Sequence, residues 1–569
     1  MRLAFLLRAV TSGLLVAAPP ALAQFRHQLG VKIPMRDRVR LSADLWLPAA
    51  AGRYPIILVR TPYLKTNERA DRVGQYFAKN GYVYVIQDVR GRGDSEGTFG
   101  FWFQEIADGY DTVEWLAAQP WSNGRIGMTG SSYLGSTQWL AAKDRPPHLS
   151  CIIPIAPGGR YFDDVPFQGG AFLMSWGLPW INGTSERISQ WPNATGIDWN
   201  KIWAHRPLST ADSVMGRIMP LYREVLQHTT MDAYWKRLHF DTKTFQRLNL
   251  PVLHVTGWFD AEQLSSLFYW EGMRAHSPAK DKQYLLIGPW THGSIFGNTS
   301  KVGEMEFPTE SIVDGRALAL AFYDYCLRDG SFSSPRARIY VTGVNQWRDL
   351  DDYPIRDVEN RRLYLSSTGS ANSLSGDGRL TWTTPGAEQP DRYVYDPKNP
   401  VSVQGLDDAS DHRPIQRRDD VLVYTTEELT EPLEVIGRIF VTLFAASDAR
   451  DTDFIANLID VYPDGRAVVL GPKPGILRAR YRTGYEREVL LTPGKVEQYQ
   501  IELYELGHVF LPGHRIRVEI TSSAYPSLNP NQNTGNPIAS DTAWKTAHQT
   551  VYHDRTRPSY IGLPVPAKH

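Results

Sequence analysis

Between residues 24 and 156, short apolar runs rich in β-branched and aromatic residues alternate with stretches of helical spacing. Runs 54–59 and 82–86 are almost continuously apolar, the pattern of strands buried on both faces. Between them, Val73, Tyr76 and Phe77 lie on one helical stripe within residues 70–80, which stop at Asn80-Gly81. A second helix is expected over 108–118, with Tyr110, Val113, Leu116 and Ala117 on its stripe, and further buried strands over 125–128 and 150–155. Strands alternating with helices imply parallel pairing, because each helix carries the chain back across the sheet. The fold class is therefore α/β with an open sheet.

The alternation stops near Gly158 and resumes at 250–255, followed by a strand at 283–287 and a long helix over 316–329 ending at Gly330. The interval is rich in Trp and Pro, with a helical stretch at 213–226, and reads as an inserted helical cap. After about Ser334, alternating runs such as 435–444, 454–462 and 515–521 are separated by Pro463-Asp464-Gly465 and Leu511-Pro512-Gly513 turns. That pattern fits a β-sandwich or jelly roll. The expected division is a leader (1–23), a first sheet segment (24–157), a cap (158–247), a second sheet segment (248–333) and a β domain (334–569).

The leader is read from Arg2 and Arg8, the apolar run 14–18 and Ala21-Leu22-Ala23, a small-residue cleavage pattern. No later segment has the apolar length to span a bilayer as a helix, so export without an anchor, to the periplasm or outside, is the expectation. Acids and bases balance at 61 each, which gives no general field for nucleic acid or a membrane surface. Cys151 and Cys326 are the two cysteines; an oxidising compartment permits a disulfide between them without establishing it. No metal-ligand spacing occurs, and neither metal nor cofactor is expected. The sequence leaves oligomeric state, including a homo-oligomer, open.

Gly130-Ser131-Ser132-Tyr133-Leu134-Gly135 lies between a buried strand and a helix-like stretch. A hydroxyl on a sharp strand-to-helix turn projects above a sheet, and the helix N-terminus offers N–H groups to a developing oxyanion. The general G-x-S-x-G pattern would want glycine at Leu134, and an ordinary Ser-rich helix cap is the alternative that this motif alone leaves open. Downstream, Asp260 follows the strand at 251–256 and His292 follows the strand at 283–287. The order Ser…Asp…His, with Asp and His just past the carboxyl ends of strands, is that of a Ser-His-Asp hydrolase.

The chain resembles the α/β-hydrolase family of cocaine esterase, α-amino acid ester hydrolases, glutaryl-cephalosporin acylases and X-prolyl dipeptidyl peptidases. Pro34-Met35-Arg36-Asp37, Arg60-Thr61-Pro62-Tyr63, the stretch 88–97 and Gly130 to Gly135 look like its N-terminal motifs. Stretches 448–454, 475–482 and 522–535 look like its C-terminal jelly-roll signatures. The family's elbow reads G-x-S-Y-x-G, which accommodates Gly135. The resemblance implies an α/β-hydrolase sheet with an inserted helical cap and a C-terminal jelly roll. It implies Ser132 as nucleophile, His292 as general base then acid, Asp260 as orienting carboxylate, and Tyr63 with the Tyr133 N–H as oxyanion donors. Residues alone would make Tyr63 an ordinary packed aromatic, and 88–97 a structural arginine-aspartate turn without the lysine of a phosphate loop.

In α-amino acid ester hydrolases, acids two and three places past the catalytic aspartate join a third from the cap to hold the substrate ammonium. Here Glu262 fills the first place and Gln263 replaces the second acid. The third falls at Asp163-Asp164, with Val165 the alternative register. Asp164 and Glu262 are the amine-binding candidates; the plainer alternative has Glu262 capping a helix that begins at Ala261 and Asp164 facing solvent. The expected activity is hydrolysis of small esters or amides through an acyl-enzyme, extending to α-amino acid esters and β-lactam side chains. Alternatives are a carboxylesterase or glutaryl-type acylase that does not read an amine, and an inert secreted protein whose jelly roll binds carbohydrate.

Overall fold

A computed structural model describes residues 25–189, 196–298, 300–403 and 409–567. The expected leader lies outside the described residues. Ten strands form the first sheet: β1 (Phe25–Pro34), β2 (Arg40–Pro48), β3 (Tyr54–Thr61), β4 (Val83–Asp88), β5 (Ser122–Ser131), β6 (Leu149–Ile155), β7 (Val252–Phe259), β8 (Gln283–Thr291), β9 (Ala337–Val341) and β10 (Gln346–Leu350). Their spatial order is β1-β2-β4-β3-β5-β6-β7-β8-β9-β10. From β4 to β9 neighbouring strands run parallel, as the alternation implied, and antiparallel strands close both edges.

The crossover helices bury part of each stripe read from sequence, Phe77 in the first and Val113 and Leu116 in the second, with Val73, Tyr76, Tyr110 and Ala117 half-buried. Helix Glu68–Lys79 is capped by Asn67, whose side chain accepts from the Ala70 N–H, and buries Ala70, Gly74, Phe77 and Ala78. Helix Glu105–Ala117 buries Val113 and Leu116. Helix Gly315–Arg328 packs Phe322, Tyr323 and Leu327 beneath the sheet and ends at Asp329 in the left-handed conformation, one residue before the expected Gly330. A disulfide joins Cys151 on β6 to Cys326 on this helix.

Two expectations are corrected. The break at 333/334 falls too early, because β9 pairs with β8 and β10 with β9. These short alternating strands look like the β-rich C-terminal half in sequence, yet their partners lie in the first sheet. The single helix expected over 213–226 is two, Ala211–Val214 and Pro220–Gln227. Gly216 at positive φ ends the first, and Pro220, which cannot continue a helix, starts the second.

Beyond β10 the chain forms a twelve-stranded, mostly antiparallel sheet with two 3₁₀ turns and no α-helix among the described residues. Buried ion pairs organise it: Arg478 with Asp453, and Arg480 with Asp451, bridged by the Asn531 amide bonding both carboxylates. These are the stretches singled out as C-terminal motifs. They also join the cap, since the Arg478 N–H donates to the Gly169 carbonyl and the Asn529 side chain accepts from the Phe172 N–H. One apolar core runs through both units and includes Trp258 and Tyr340 from the first and Leu506 and Phe510 from the second.

Candidate active site

Ser132 sits between β5 and helix Tyr133–Lys143 at φ 64°, ψ −128°, a conformation a non-glycine residue holds only under strain. The spacing of the flanking glycines follows from this turn. A Cβ on Gly130 would stand 2.4 Å from the Leu134 Cβ, and one on Gly135 would stand 3.0 Å from the Ile155 carbonyl oxygen. Close approach therefore falls at Gly130 and Gly135, while Leu134 is the side chain that Gly130 must admit. Tyr133 is the first residue of the helix, so its N–H has no partner within that helix. Its side chain is anchored: the hydroxyl bonds the Phe101 carbonyl at 2.7 Å and Glu105 at 3.0 Å. Glu105 in turn pairs with fully buried Arg60.

Tyr63, in the turn after β3, reaches the same place. Its hydroxyl accepts a hydrogen bond from Trp180 Nε1 at 3.0 Å and also bonds the Ser132 side chain. Burial raises the Tyr63 hydroxyl to about 12, so it remains a donor across the neutral range. The turn is held from below by Arg92, which donates to the Pro62 carbonyl at 2.7 Å and the Thr184 carbonyl at 2.8 Å. Arg90 pairs with Asp108 and Asp37. The stretch 88–97 is thus structural, tying the Tyr63 turn to the cap. Trp180 stacks on Tyr133 and on Trp176, and Phe99 and Phe101 pack against it, giving an aromatic wall beside Ser132.

Past β7 and β8, Asp260 and His292 meet, with Asp260 Oδ1 2.9 Å from His292 Nδ1. Asp260 is fully buried and also accepts from the Glu262 N–H at 2.8 Å and the Thr256 hydroxyl at 3.1 Å. These bonds fix the carboxylate, and the carboxylate orients the ring through Nδ1. The His292 side chain is 26% exposed, whereas Asp260 is fully buried.

The two amine-binding candidates lie near each other, and the plainer alternative, a helix cap and a solvent-facing acid, does not hold for either. Asp164 is fully buried, not solvent-facing: it accepts from the Ser265 hydroxyl at 2.7 Å and pairs with Lys473 Nζ at 3.0 Å. Glu262 is also buried and makes no side-chain cap; its helix begins at Gln263, not Ala261. Burial pushes the Glu262 carboxyl up to about 8, with Asp260 and Asp164 adding to the effect and His292 and Lys473 opposing it. Its Oε2 has no hydrogen-bond partner. Gln263 turns away, bonding the Trp258 and Glu505 carbonyls.

Trp180 and Lys473 were not singled out by sequence. The Trp-rich interval pointed to the cap without saying which Trp meets Tyr63. Nothing local marks Lys473, whose partner Asp164 is 309 residues away. A second Ser-His-Asp grouping, Ser367, His553 and Asp391, has different wiring. Ser367 Oγ and Asp391 Oδ2 both approach His553 Nε2, and Ser367 also donates to Asp391, so the ring does not stand between hydroxyl and carboxylate. It is a buried structural cluster.

Sheet order, strained serine turn and the Asp-His pair at the carboxyl edge define an α/β hydrolase with a β-rich appendage. Residues 37–294 match the X-Pro dipeptidyl-peptidase (S15 family) model, and residues 330–562 match the X-Pro dipeptidyl-peptidase C-terminal non-catalytic domain. Cocaine esterase from Rhodococcus sp. (strain MB1 Bresler) is 36% identical over 572 residues, covering 94% of this chain and 98% of that protein. Among solved structures, an α-amino acid ester hydrolase superposes with TM-score 0.84 at 28% identity, covering 96% of this chain and 98% of the other. An aminopeptidase from a marine sediment archaeon, Thaumarchaeota archaeon, also gives TM-score 0.84 at 28% identity, covering 98% and 99%. The chain belongs to the S15 family of serine hydrolases, which contains esterases and X-Pro dipeptidyl peptidases.

Proposed function

We propose that the chain is an esterase working through an acyl-enzyme on Ser132. The observation that carries this reading is a serine on a strained turn whose hydroxyl bonds Tyr63, at the same carboxyl edge of the sheet as the Asp260–His292 hydrogen bond. His292 takes the proton from Ser132 as the hydroxyl attacks the acyl carbonyl. Asp260 holds the ring in the tautomer that leaves the far nitrogen basic and stabilises the imidazolium. The tetrahedral oxyanion is received by the Tyr63 hydroxyl and the Tyr133 N–H. His292 returns the proton to the departing alcohol, and water, activated by the same ring, hydrolyses the acyl-enzyme.

The aromatic wall of Trp180, Trp176, Phe99 and Phe101 favours an apolar or aromatic acyl or alcohol group over a dicarboxylic one. Export is part of the same proposal: the leader pattern at 1–23 and the Cys151–Cys326 disulfide both suit an oxidising compartment. The test is labelling with a fluorophosphonate. Wild type should be labelled and should hydrolyse p-nitrophenyl esters, while Ser132→Ala should do neither; equal labelling of both removes the nucleophile assignment.

A further inference from the structure

The charges beside the Asp260–His292 pair narrow the acyl group. Asp164 lies in the turn after β6, and each of its carboxylate oxygens is engaged. Oδ2 accepts from Ser265, and Oδ1 is held by Lys473 Nζ, with the Tyr504 hydroxyl 3.3 Å away. Lys473 comes from the loop between strands Ala467–Val469 and Gly475–Arg478 of the β-rich unit, and its side chain is 1% exposed. It also donates to the Asp164 backbone carbonyl, and it lies over the Tyr504 ring. The Gln168 side chain bonds the Pro474 carbonyl, which clamps this loop against the cap. Tyr504 donates to the Ala261 carbonyl, so the assembly is tied to the residue between Asp260 and Glu262.

We propose that Lys473 is a specificity-determining residue: its ammonium neutralises Asp164 within the molecule, so the acyl pocket beside Glu262 accepts a neutral α-substituent and rejects an α-ammonium. This rests on the reading of Ser132 as nucleophile. A second buried cation near Lys473 would find one anion already paired and would meet repulsion where water cannot screen it. Glu262, kept protonated by burial at neutral pH, presents an unpartnered oxygen that can bond a hydroxyl or carbonyl but supplies no counter-charge. Of the two carboxylates the sequence offered for an amine, Asp164 is thus occupied by an internal one.

The experiment compares kcat/KM for the methyl esters of phenylacetic acid, mandelic acid and phenylglycine on the full chain, at a pH where the phenylglycine amine is protonated. Wild type should hydrolyse the phenylglycine ester at least about tenfold less efficiently than the two neutral esters, the scale of one uncompensated charge contact. Lys473→Met, which leaves Asp164 uncompensated, should shift that ratio toward phenylglycine by about tenfold. Asp164→Asn/Lys473→Met, which removes both charges, should return it to the wild-type value. Lys473→Gln keeps a donor toward Asp164 and takes the place of the methionine variant if the latter does not fold. A wild-type preference for the phenylglycine ester, or an equal shift in the single and double variants, overturns the proposal. Failure of all three esters together with loss of fluorophosphonate labelling would instead count against Ser132.

Discussion

Replacing Tyr63 by phenylalanine removes one hydroxyl and leaves the ring, which packs edge-on to Trp180. If that hydroxyl is one of two oxyanion donors, its loss affects the transition state and not the ground state. Deleting a single such donor costs on the order of 10²–10³ in kcat, about 2.7–4 kcal/mol. KM for an activated ester should change by less than about threefold, because the uncharged carbonyl gains little from the donor. A second consequence follows from Trp180, whose Nε1–H donates to this hydroxyl at 3.0 Å. In Tyr63→Phe that buried N–H loses its acceptor, so the melting temperature should fall as well. Trp180→Phe tests the relay from the other end. It removes one neutral hydrogen bond, about 0.5–1.5 kcal/mol, or roughly a two- to tenfold loss in kcat. Because Tyr63 stays protonated up to about 12, neither variant should alter the pH profile between roughly 6 and 9. Steady-state kinetics with p-nitrophenyl acetate read kcat, KM and the pH profile, and thermal unfolding reads the melting temperature. A Tyr63→Phe enzyme with kcat within about threefold of wild type refutes the two-donor reasoning.

Other parts of the molecule yield separate expectations. Burial pulls the His553 pKa down, but hydrogen bonds and charges from Asp391 and Glu388 outweigh it and leave the ring above its ordinary value. Its contribution to stability is therefore complete below about pH 6.5 and is lost as pH rises through the raised value, so wild-type melting temperature should drop on that limb and His553→Gln should flatten it. Cys151 and Cys326 close a loop of 175 residues; Cys151→Ser/Cys326→Ser should lose up to about 5 kcal/mol, read by denaturant unfolding under non-reducing conditions. Arg478→Met would leave Asp453 buried without its partner, and a loss of about 3–5 kcal/mol should appear as a lower unfolding midpoint. Asp260→Asn should keep the fold and lower kcat by about 10⁴, since an amide presents its N–H to His292 and favours the wrong tautomer.

The parallel sheet was legible because each strand is buried on both faces and each crossover helix has a one-sided stripe, so local pattern and final environment agree. The motif around Ser132 was legible for a related reason, since backbone crowding at Gly130 and Gly135 is a local matter. What local pattern could not supply was pairing between distant segments. Strands β9 and β10 alternate like the β-rich unit and still join the first sheet, because β8 offers an open edge. Gly216 and Pro220 were visible in 213–226, but helical spacing on either side concealed the break. Asp164 read equally well as solvent-exposed or as a ligand, and the lysine that decides between them comes from another unit. Specificity in this chain thus depends on contacts between the sheet, its cap and the β-rich unit, while the reacting groups depend on strand ends.

The most direct measurement is the mass of the protein during turnover. Wild type mixed with p-nitrophenyl phenylacetate and quenched in acid within the first turnover should carry one phenylacetyl group, and peptide mapping should place it on Ser132, with no adduct on Ser132→Ala. An adduct on a different residue, or a burst of p-nitrophenol with no acylated protein, would contradict the acyl-enzyme account.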